Sequence, residues 1–308
     1  MAELSPMMQQ YLEIKKQHKD EILFYRIGDF YEMFFDDALT ASRELDLTLT
    51  GKQCGLEERA PMCGVPFHSY EGYVARLISK GYKVAICEQV EDPAKAKGLV
   101  KRDIIRVVTP GTVIESSMLQ DDKNNYIASI FLKGGAAGLC FADVSTGTAH
   151  ITELKREKIA PAVIAELCRY HPSEVLMNPG LLDCREITAY IKKNMNCAVE
   201  LVEEERYAPG LVAISLENQF GRDWAAKTGI TEDGLVRFAM AALLEYLHDL
   251  SDERMSRQHF SRSGSDFWTG TISFTRDRGC CPCHRSRTDI QCNPLSDFLY
   301  GCSNLCKI

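Results

Sequence analysis

Phe30 and Glu32 are the two residues whose types and spacing most directly suggest a chemical task. They lie in the stretch FYRIGDFYEMFF, residues 24–35, which holds six aromatic residues together with an Arg, an Asp and a Glu. In an extended strand, residues two positions apart point to the same face and lie about 7 Å apart. The pair therefore predicts an apolar wedge beside a hydrogen-bond acceptor.

An extended segment over residues 23–35 would position this pair. The odd positions from Leu23 to Phe35 are apolar except for Asp29, whereas the even positions mix aromatic rings with both charges. We therefore expect the odd set to pack inward and the even set to face outward. A turn at Gly28-Asp29 could reset this phase before Phe30, but it would leave Phe30 and Glu32 on a common face.

Two interpretations of the pair are open on spacing alone. Aromatic clusters with a nearby charge are commonly a core beside a surface ion pair. Alternatively, DNA-bending proteins insert apolar wedges between base steps, where unstacking costs roughly a few kcal/mol and least at damaged pairs. A carboxylate beside such a wedge would test the displaced base. It would contribute discrimination more than affinity, because phosphates repel it.

Composition and charge limit the classes of function. The chain has 308 residues, 45% hydrophobic and 26% charged, which suits two globular domains. Its net charge is −7, and residues 1–113 carry 15 basic and 17 acidic residues, unlike a non-specific DNA binder. There is no apolar run of about 18 residues and no secretory signal, so we expect a cytoplasmic protein without a membrane span.

The order of elements predicts an α/β fold in two domains. Helical and extended patterns alternate over residues 1–115, and a polar linker follows over 116–126. Residues 127–255 predict three adjacent strands, then alternating helices and strands, and a final apolar helix over 232–250. Residues 256–308 form a separate Cys-rich tail in which neither the helical nor the strand periodicity of apolar residues is sustained.

Several long segments resemble the MutS family of bacterial DNA mismatch-repair proteins. FYRIGDFYEMFFDDA, APMCGVPFHSYEGYVARLISKGYKVAICEQVEDPAKAKG and VVTPGT resemble its N-terminal mismatch-recognition domain, and GLCFADVSTGTAHITEL resembles its connector domain. The resemblance covers roughly residues 5–255. It implies a mixed-sheet mismatch-binding domain, followed by an RNase-H-like α/β connector that carries coupling and no chemistry.

The resemblance also implies roles for particular residues. The Phe of the family's Phe-x-Glu motif stacks on the mispaired base and the Glu hydrogen-bonds to it, which assigns these roles to Phe30 and Glu32. Apart from the resemblance, we expect Gly28 and Asp29 to shape the approach to DNA. Six basic residues could contact phosphates, although a solvated surface is the better interpretation for any one of them: Lys52, Lys95, Lys97, Lys101, Arg102 and Arg106. Of these six, Arg106 is kept as a candidate DNA-contacting residue.

The implied partners are duplex DNA with mismatches or small loops, a second copy of the chain, and MutL-like repair proteins. The implied location is the bacterial cytoplasm, with nucleoid association when bound to DNA. Full-length family members use ATP and Mg²⁺ in a C-terminal domain. No Gly-x-x-x-x-Gly-Lys-Ser/Thr pattern occurs here, so we expect no ATPase activity, no cofactor and no catalytic residue in this chain.

Two alternative functions stay open. The connector may serve as an interaction module for repair partners while the first domain is idle. A divergent nuclease would use Asp143, which stands where RNase-H-like nucleases keep a metal-binding acid, but one acid is not a two-metal site. His68 lies in a loop without a second ligand nearby, and we expect it to be a solvated or capping residue.

The tail offers an apparent metal motif. Cys280-x-x-Cys283 with His284 suggests half a zinc site, but Cys302-x-x-x-Cys306 completes it poorly and Cys292 is left over. The tail also contains no Glu. We therefore expect a reading-frame change or premature end after about residue 256, a disordered segment and no metal site.

Overall fold

The computed structural model describes residues 4–91, 98–114, 118–119, 123–250 and 273–276. These residues divide into two compact units: the first holds the described residues up to 119 together with Leu250, and the second holds residues 123–249 together with 273–276. Each unit is built on a mixed β-sheet flanked by helices, which confirms the predicted α/β class. No helix in the described ranges is long and apolar enough to cross a membrane.

The first unit is a six-stranded sheet in the order β3-β4-β2-β1-β5-β6. Strands β1 and β5 are parallel, and the other neighbours are antiparallel. Its elements in chain order are α1 (Pro6–Gln17), β1 (Glu21–Ile27), β2 (Phe30–Phe34), α2 (Phe35–Leu45), β3 (Thr50–Lys52), β4 (Ala60–Pro66), a 3-10 turn (Phe67–Ser69), α3 (Tyr70–Ser79), β5 (Lys83–Gln89) and β6 (Arg102–Val108).

Both faces of this sheet are covered, which corrects the expected burial of the odd positions alone. Phe24 and Phe34, both from the even set, are fully buried. Phe24 shares one core with Tyr31 and Met33, and Phe34 shares the other with residues of α1. The reason is the hairpin at Gly28-Asp29, because it places even positions of β1 on the same face as odd positions of β2.

Helix α1 is tied to the sheet by a buried polar cluster around Asp37. The Asp37 carboxylate accepts hydrogen bonds from the Leu23 amide (3.0 Å) and the Tyr11 hydroxyl (3.2 Å), and it pairs with the Lys15 ammonium at 2.9 Å. Burial raises the pKa of Asp37, and the hydrogen bond and charge of Lys15 oppose the rise. The cluster joins α1, α2 and β1.

The second unit is a six-stranded sheet in the order β11-β10-β7-β8-β9-β12. Its elements are β7 (Tyr126–Lys133), β8 (Ala136–Asp143), β9 (Thr148–Lys155), α4 (Ile159–Tyr170), β10 (Glu174–Met177), a 3-10 turn (Pro179–Leu181), α5 (Arg185–Asn194), β11 (Ala198–Leu201), a 3-10 turn (Glu204–Tyr207), α6 (Pro209–Phe220), α7 (Trp224–Thr228), α8 (Val236–Leu250) and β12 (Ser273–Arg276).

The topology of this sheet matches the RNase-H-like connector that the resemblance implies. Strands β7, β8 and β9 form an antiparallel meander, and β10 and β11 add in parallel beside β7. Counted within the unit, the first five strands follow the order 3-2-1-4-5. Of the tail 256–308 only β12 is described, and it pairs in parallel with β9. For the rest of the tail, the predictions of disorder and of no metal site fall outside the described residues.

Strand β8 passes unusually close to the start of α8. A Cβ atom built on Gly138 would lie 2.3 Å from the carbonyl carbon of Leu235 and 2.5 Å from the amide nitrogen of Val236. Both are backbone atoms, so a side chain has no room there unless the helix moves. Gly138 thus sets how closely α8 packs on the sheet of the second unit.

Candidate nucleic-acid interface

The tip of the β1–β2 hairpin is a tight two-residue turn. Ile27 pairs with Phe30, and Gly28-Asp29 connects them. Gly28 has φ +57°, which glycine adopts without strain, and a glycine in the first turn position suits the twist of a hairpin. The Asp29 carbonyl accepts a hydrogen bond from the Phe67 amide at 3.0 Å, which ties the turn to the end of β4.

Phe30 is the first residue of β2 and its ring is exposed at this tip. It exposes 48% of its surface, whereas its strand neighbours Tyr31 and Phe34 expose 3% and 0%. Full burial of a Phe side chain contributes about 1.5–3 kcal/mol, so this ring can supply binding free energy to a partner. The ring of Phe30 is thus accessible to a partner at the hairpin tip.

Glu32 lies two residues along β2 on the same face as Phe30. Its neighbours across the sheet are Tyr25 on β1 and Gly64 on β4. Oε2 of Glu32 contacts the Lys52 ammonium at 2.5 Å, and the two side chains are 15% and 28% exposed. The acceptor beside the ring is therefore a carboxylate already paired with a cation.

Arg26 clamps the hairpin turn from the opposite face. Its Nε donates to the Gly28 carbonyl, its Nη1 lies 3.2 Å from Glu88, and its guanidinium carbon stands 3.6 Å above the Phe67 ring. The Tyr31 hydroxyl also contacts Glu88, and burial together with this contact raises the pKa of Tyr31. The turn that carries Phe30 is held by three kinds of contact.

The remaining basic candidates are mostly engaged elsewhere. Arg102 is buried and donates to the carbonyl of Arg26 at 2.7 Å. Arg106 is half-buried and donates to the Thr112 carbonyl at 3.1 Å. Its strand β6 lies three positions from β2, roughly 14 Å away at the usual strand spacing, so the sheet does not bring it beside Phe30. Lys101 is exposed, and Lys95 and Lys97 lie outside the described residues.

Asp143 has a structural role at the turn after β8. Its carboxylate accepts hydrogen bonds from the amide and hydroxyl of Ser145, at 3.0 and 2.6 Å, and from the amides of Thr146 and Asn125, both at 3.3 Å. Within the described ranges no group of three or more potential metal ligands occurs. His68 is exposed on the 3-10 turn beside the Phe67 ring.

The sequence identifies the Phe30–Glu32 pair, but it does not reveal which side chains of the protein contact the two residues. It treats Lys52 as a candidate for phosphate contact, and it does not single out Arg26. Both act through partners distant in sequence, since Lys52 is 20 residues from Glu32 and Arg26 is 62 residues from Glu88. Strand order brings them together, and no local pattern signals it.

Comparison with known proteins gives consistent matches along the chain. Residues 5–117 match the family model described as MutS domain I, and residues 125–261 match MutS domain II. The protein named DNA mismatch repair protein MutS from Ruminiclostridium cellulolyticum is 49% identical over 265 residues, which cover 86% of this chain and 30% of the relative. Its namesake from Alkaliphilus metalliredigens is 58% identical over 249 residues, covering 80% of this chain and 28% of the relative.

The chain thus spans less than a third of the length of these relatives. Among solved structures, the fowlpox virus Holliday junction resolvase matches 41% of this chain and 99% of its own at 18% identity. The TM-score of that match is 0.31, which is too low to support an argument about fold.

Proposed function

The chain belongs to the MutS family of DNA mismatch-repair proteins, and from that premise we propose that it binds mispaired or unpaired bases in duplex DNA. In this proposal the ring of Phe30 inserts at the weakened base step and stacks on the base. The Glu32 carboxylate accepts a hydrogen bond from the base that the ring displaces. Duplexes with mismatches or small loops are the ligands.

The observation that carries the proposal is the exposed ring of Phe30 at the hairpin tip, with Glu32 on the same face. Inserting a ring opens a base step at a cost of roughly a few kcal/mol, which is lowest where pairing is already disrupted. Stacking of a base on an aromatic ring contributes about 1–3 kcal/mol. The balance therefore favours insertion at a mismatch over insertion at a matched step.

The rigidity of the hairpin supports the same conclusion. Arg26, the Asp29–Phe67 hydrogen bond and the Gly28 turn hold the backbone that carries Phe30 before any ligand arrives. Ordering a loop on binding costs free energy, and a turn that is already ordered avoids much of that cost. A preformed wedge can thus discriminate with a small contact area.

The proposal is tested by fluorescence anisotropy with two labelled duplexes that differ only in one unpaired thymine. Phe30→Ala should lose most of the preference for the unpaired duplex, by a factor of about 5–150, the equivalent of 1–3 kcal/mol. The control is Leu39→Ala, an equally exposed apolar residue on α2. An unchanged preference after Phe30→Ala, or equal binding of both duplexes by the unmodified chain, would contradict the proposal.

We further propose that this chain recognises DNA without hydrolysing ATP. Neither matched family model is described as an ATPase domain, and the sequence contains no phosphate-binding Gly-x-x-x-x-Gly-Lys-Ser/Thr loop. In a phosphate-release assay with ATP and Mg²⁺, with and without mismatched duplex, the chain should release phosphate no faster than buffer without protein. Release that depends on protein concentration would contradict this part.

A second candidate function is binding of MutL-like repair partners through the connector. Strand β11 lies at one edge of the sheet in the described residues, and Val199 and Leu201, which share one face of this strand, are 43% and 46% exposed. An exposed edge strand with apolar side chains favours pairing with another chain. Val199→Asp should weaken co-purification with a MutL-like protein while DNA preference stays intact. Equal co-purification would contradict this candidate.

A further inference from the structure

We propose that Lys52 is a positioning residue for base recognition. It holds the Glu32 carboxylate through Oε2, so that Oε1 is left to accept the hydrogen bond from the displaced base. The inference rests on the proposed function, because it concerns the acceptor that the wedge brings to the base. In this inference the ammonium of Lys52 binds the Glu32 carboxylate and does not bind a DNA phosphate.

The sheet makes this contact possible across an intervening strand. Lys52 ends the edge strand β3, Glu32 lies on β2, and β4 runs between them. Opposite Glu32 on β4 stands Gly64, where a Cβ would lie 3.5 Å from Cγ of Glu32. The absence of a side chain at Gly64 leaves room for the Glu32 side chain beside β4. The Lys52 ammonium also stands 5.7 Å from the buried Phe34 ring, a second favourable contact.

Lys52 supplies the hydrogen bond and ion pair of the Glu32 carboxylate among the described residues. The Lys52 ammonium contacts Oε2, and no second donor to the carboxylate is found there. Both side chains are less than a third exposed, at 28% and 15%, so the pair is partly shielded from water and salt. A carboxylate fixed at one oxygen presents the other in a defined direction.

Charge gives a reason for the arrangement. A bare carboxylate that approaches DNA is repelled by the phosphates, whereas a carboxylate paired with an ammonium presents no net charge. Lys52 thus removes the electrostatic penalty for bringing the Glu32 carboxylate close to DNA. It also orients the carboxylate oxygen that accepts the hydrogen bond from the base. If Lys52 instead bound a phosphate directly, its effect would be the same for all duplexes and would depend on salt.

A double-mutant cycle in the full chain tests this inference. Lys52→Gln, Glu32→Gln and the double variant are titrated with the matched duplex and the unpaired-thymine duplex. We expect Lys52→Gln to lower the preference about threefold or more and to have no further effect in the Glu32→Gln background. Lys52→Arg should retain part of the preference. Lys80→Gln, which breaks the Lys80–Glu44 pair near the ends of α3 and α2, should have no effect.

Two results of the cycle would overturn the inference. Additive effects of the two substitutions would show that Lys52 does not act through Glu32. A salt dependence of affinity reduced by about one phosphate contact in Lys52→Gln would show direct contact with the backbone. If Phe30→Ala also left the preference unchanged, the proposed function would fail as well. If Phe30→Ala abolished the preference, only the role of Lys52 would fail.

A second measurement tests the contact without DNA. A carbodiimide joins a contacting amine and carboxylate as an amide, and the carbodiimide takes up the water that is lost and becomes a urea. Peptide mapping should find the Lys52–Glu32 crosslink in the unmodified chain and lose it in Glu32→Gln. The Lys80–Glu44 crosslink, from a pair at 3.1 Å, is the internal standard. Detection of the standard without Lys52–Glu32 would overturn the inference.

Discussion

Ile27 and Phe30 face each other directly across the Gly28-Asp29 turn, so the exposed ring of Phe30 closes the end of a hairpin. The main chain of Phe30 is therefore held by strand pairing on one side and by the turn on the other. Its position depends on the conformation of two turn residues and on the side chain that clamps them. Substitutions at the turn or at its clamp should therefore displace the ring.

Gly28→Ala should destabilise the first unit and lower the preference for mismatched DNA. Gly28 has φ +57° and no atom lies within 4 Å of an added Cβ, so the penalty is backbone strain of about 1–2 kcal/mol without a clash. Urea unfolding measures the stability, and anisotropy measures the preference. Gly72→Ala, in the open on α3, is the matched control and should stabilise by roughly 0.5–1 kcal/mol. Equal behaviour of the two variants would contradict the strained-turn account.

Arg26→Lys should lower mismatch preference while the fold is retained. Lysine keeps the charge but loses the planar group that stacks on Phe67 and the donor that reaches the Gly28 carbonyl. Losing one such hydrogen bond corresponds to about 1 kcal/mol, or roughly a fivefold change in affinity. Arg43→Met, at an exposed arginine on α2, is the control. A preference as high as in the unmodified chain would show that the clamp is not needed.

The first unit shows how far sequence reasoning reaches. That Phe30 and Glu32 share a face follows from strand parity, a local property, and the structure has them so. The burial of β1 could not be predicted in the same way. Both faces of β1 are covered, and strand parity alone predicts only one buried face. The Lys52–Glu32 and Arg26–Glu88 contacts depend on the strand order β3-β4-β2-β1-β5, which sequence spacing does not contain.

Asp37→Asn should change the pH dependence of stability in a defined direction. Burial raises the pKa of Asp37 above its ordinary value, so the folded chain favours the protonated form more than the unfolded chain does. The contribution of this group is therefore full below the unfolded pKa and is lost as pH rises through the folded pKa.

The stability of the unmodified chain relative to Asp37→Asn should thus fall as pH rises from about 4 through the folded pKa. Urea unfolding of both proteins at a series of pH values gives this difference directly. A difference that grows with pH across the same range would show that Lys15 outweighs burial at Asp37.

Gly138→Ala should disrupt the second unit strongly. The new methyl group would meet the backbone of Leu235 and Val236 far inside van der Waals contact, so α8 has to move. We expect a loss of roughly 3 kcal/mol or more, with hydrogen-exchange protection lost in β8 and α8. Gly210→Ala, on α6 with no atom within 4 Å, is the control and should leave exchange unchanged. Full protection after Gly138→Ala would contradict the close approach of strand and helix.

The most direct test of the central claim is photocrosslinking to the unpaired base itself. A duplex with a single unpaired 5-iodouracil is bound to the full chain, irradiated and digested with trypsin. We predict that the nucleotide adduct maps to Phe30, and that a duplex with the same base fully paired gives little adduct there. No adduct at Phe30, or equal adducts with paired and unpaired base, would contradict the claim that this ring stacks on the base.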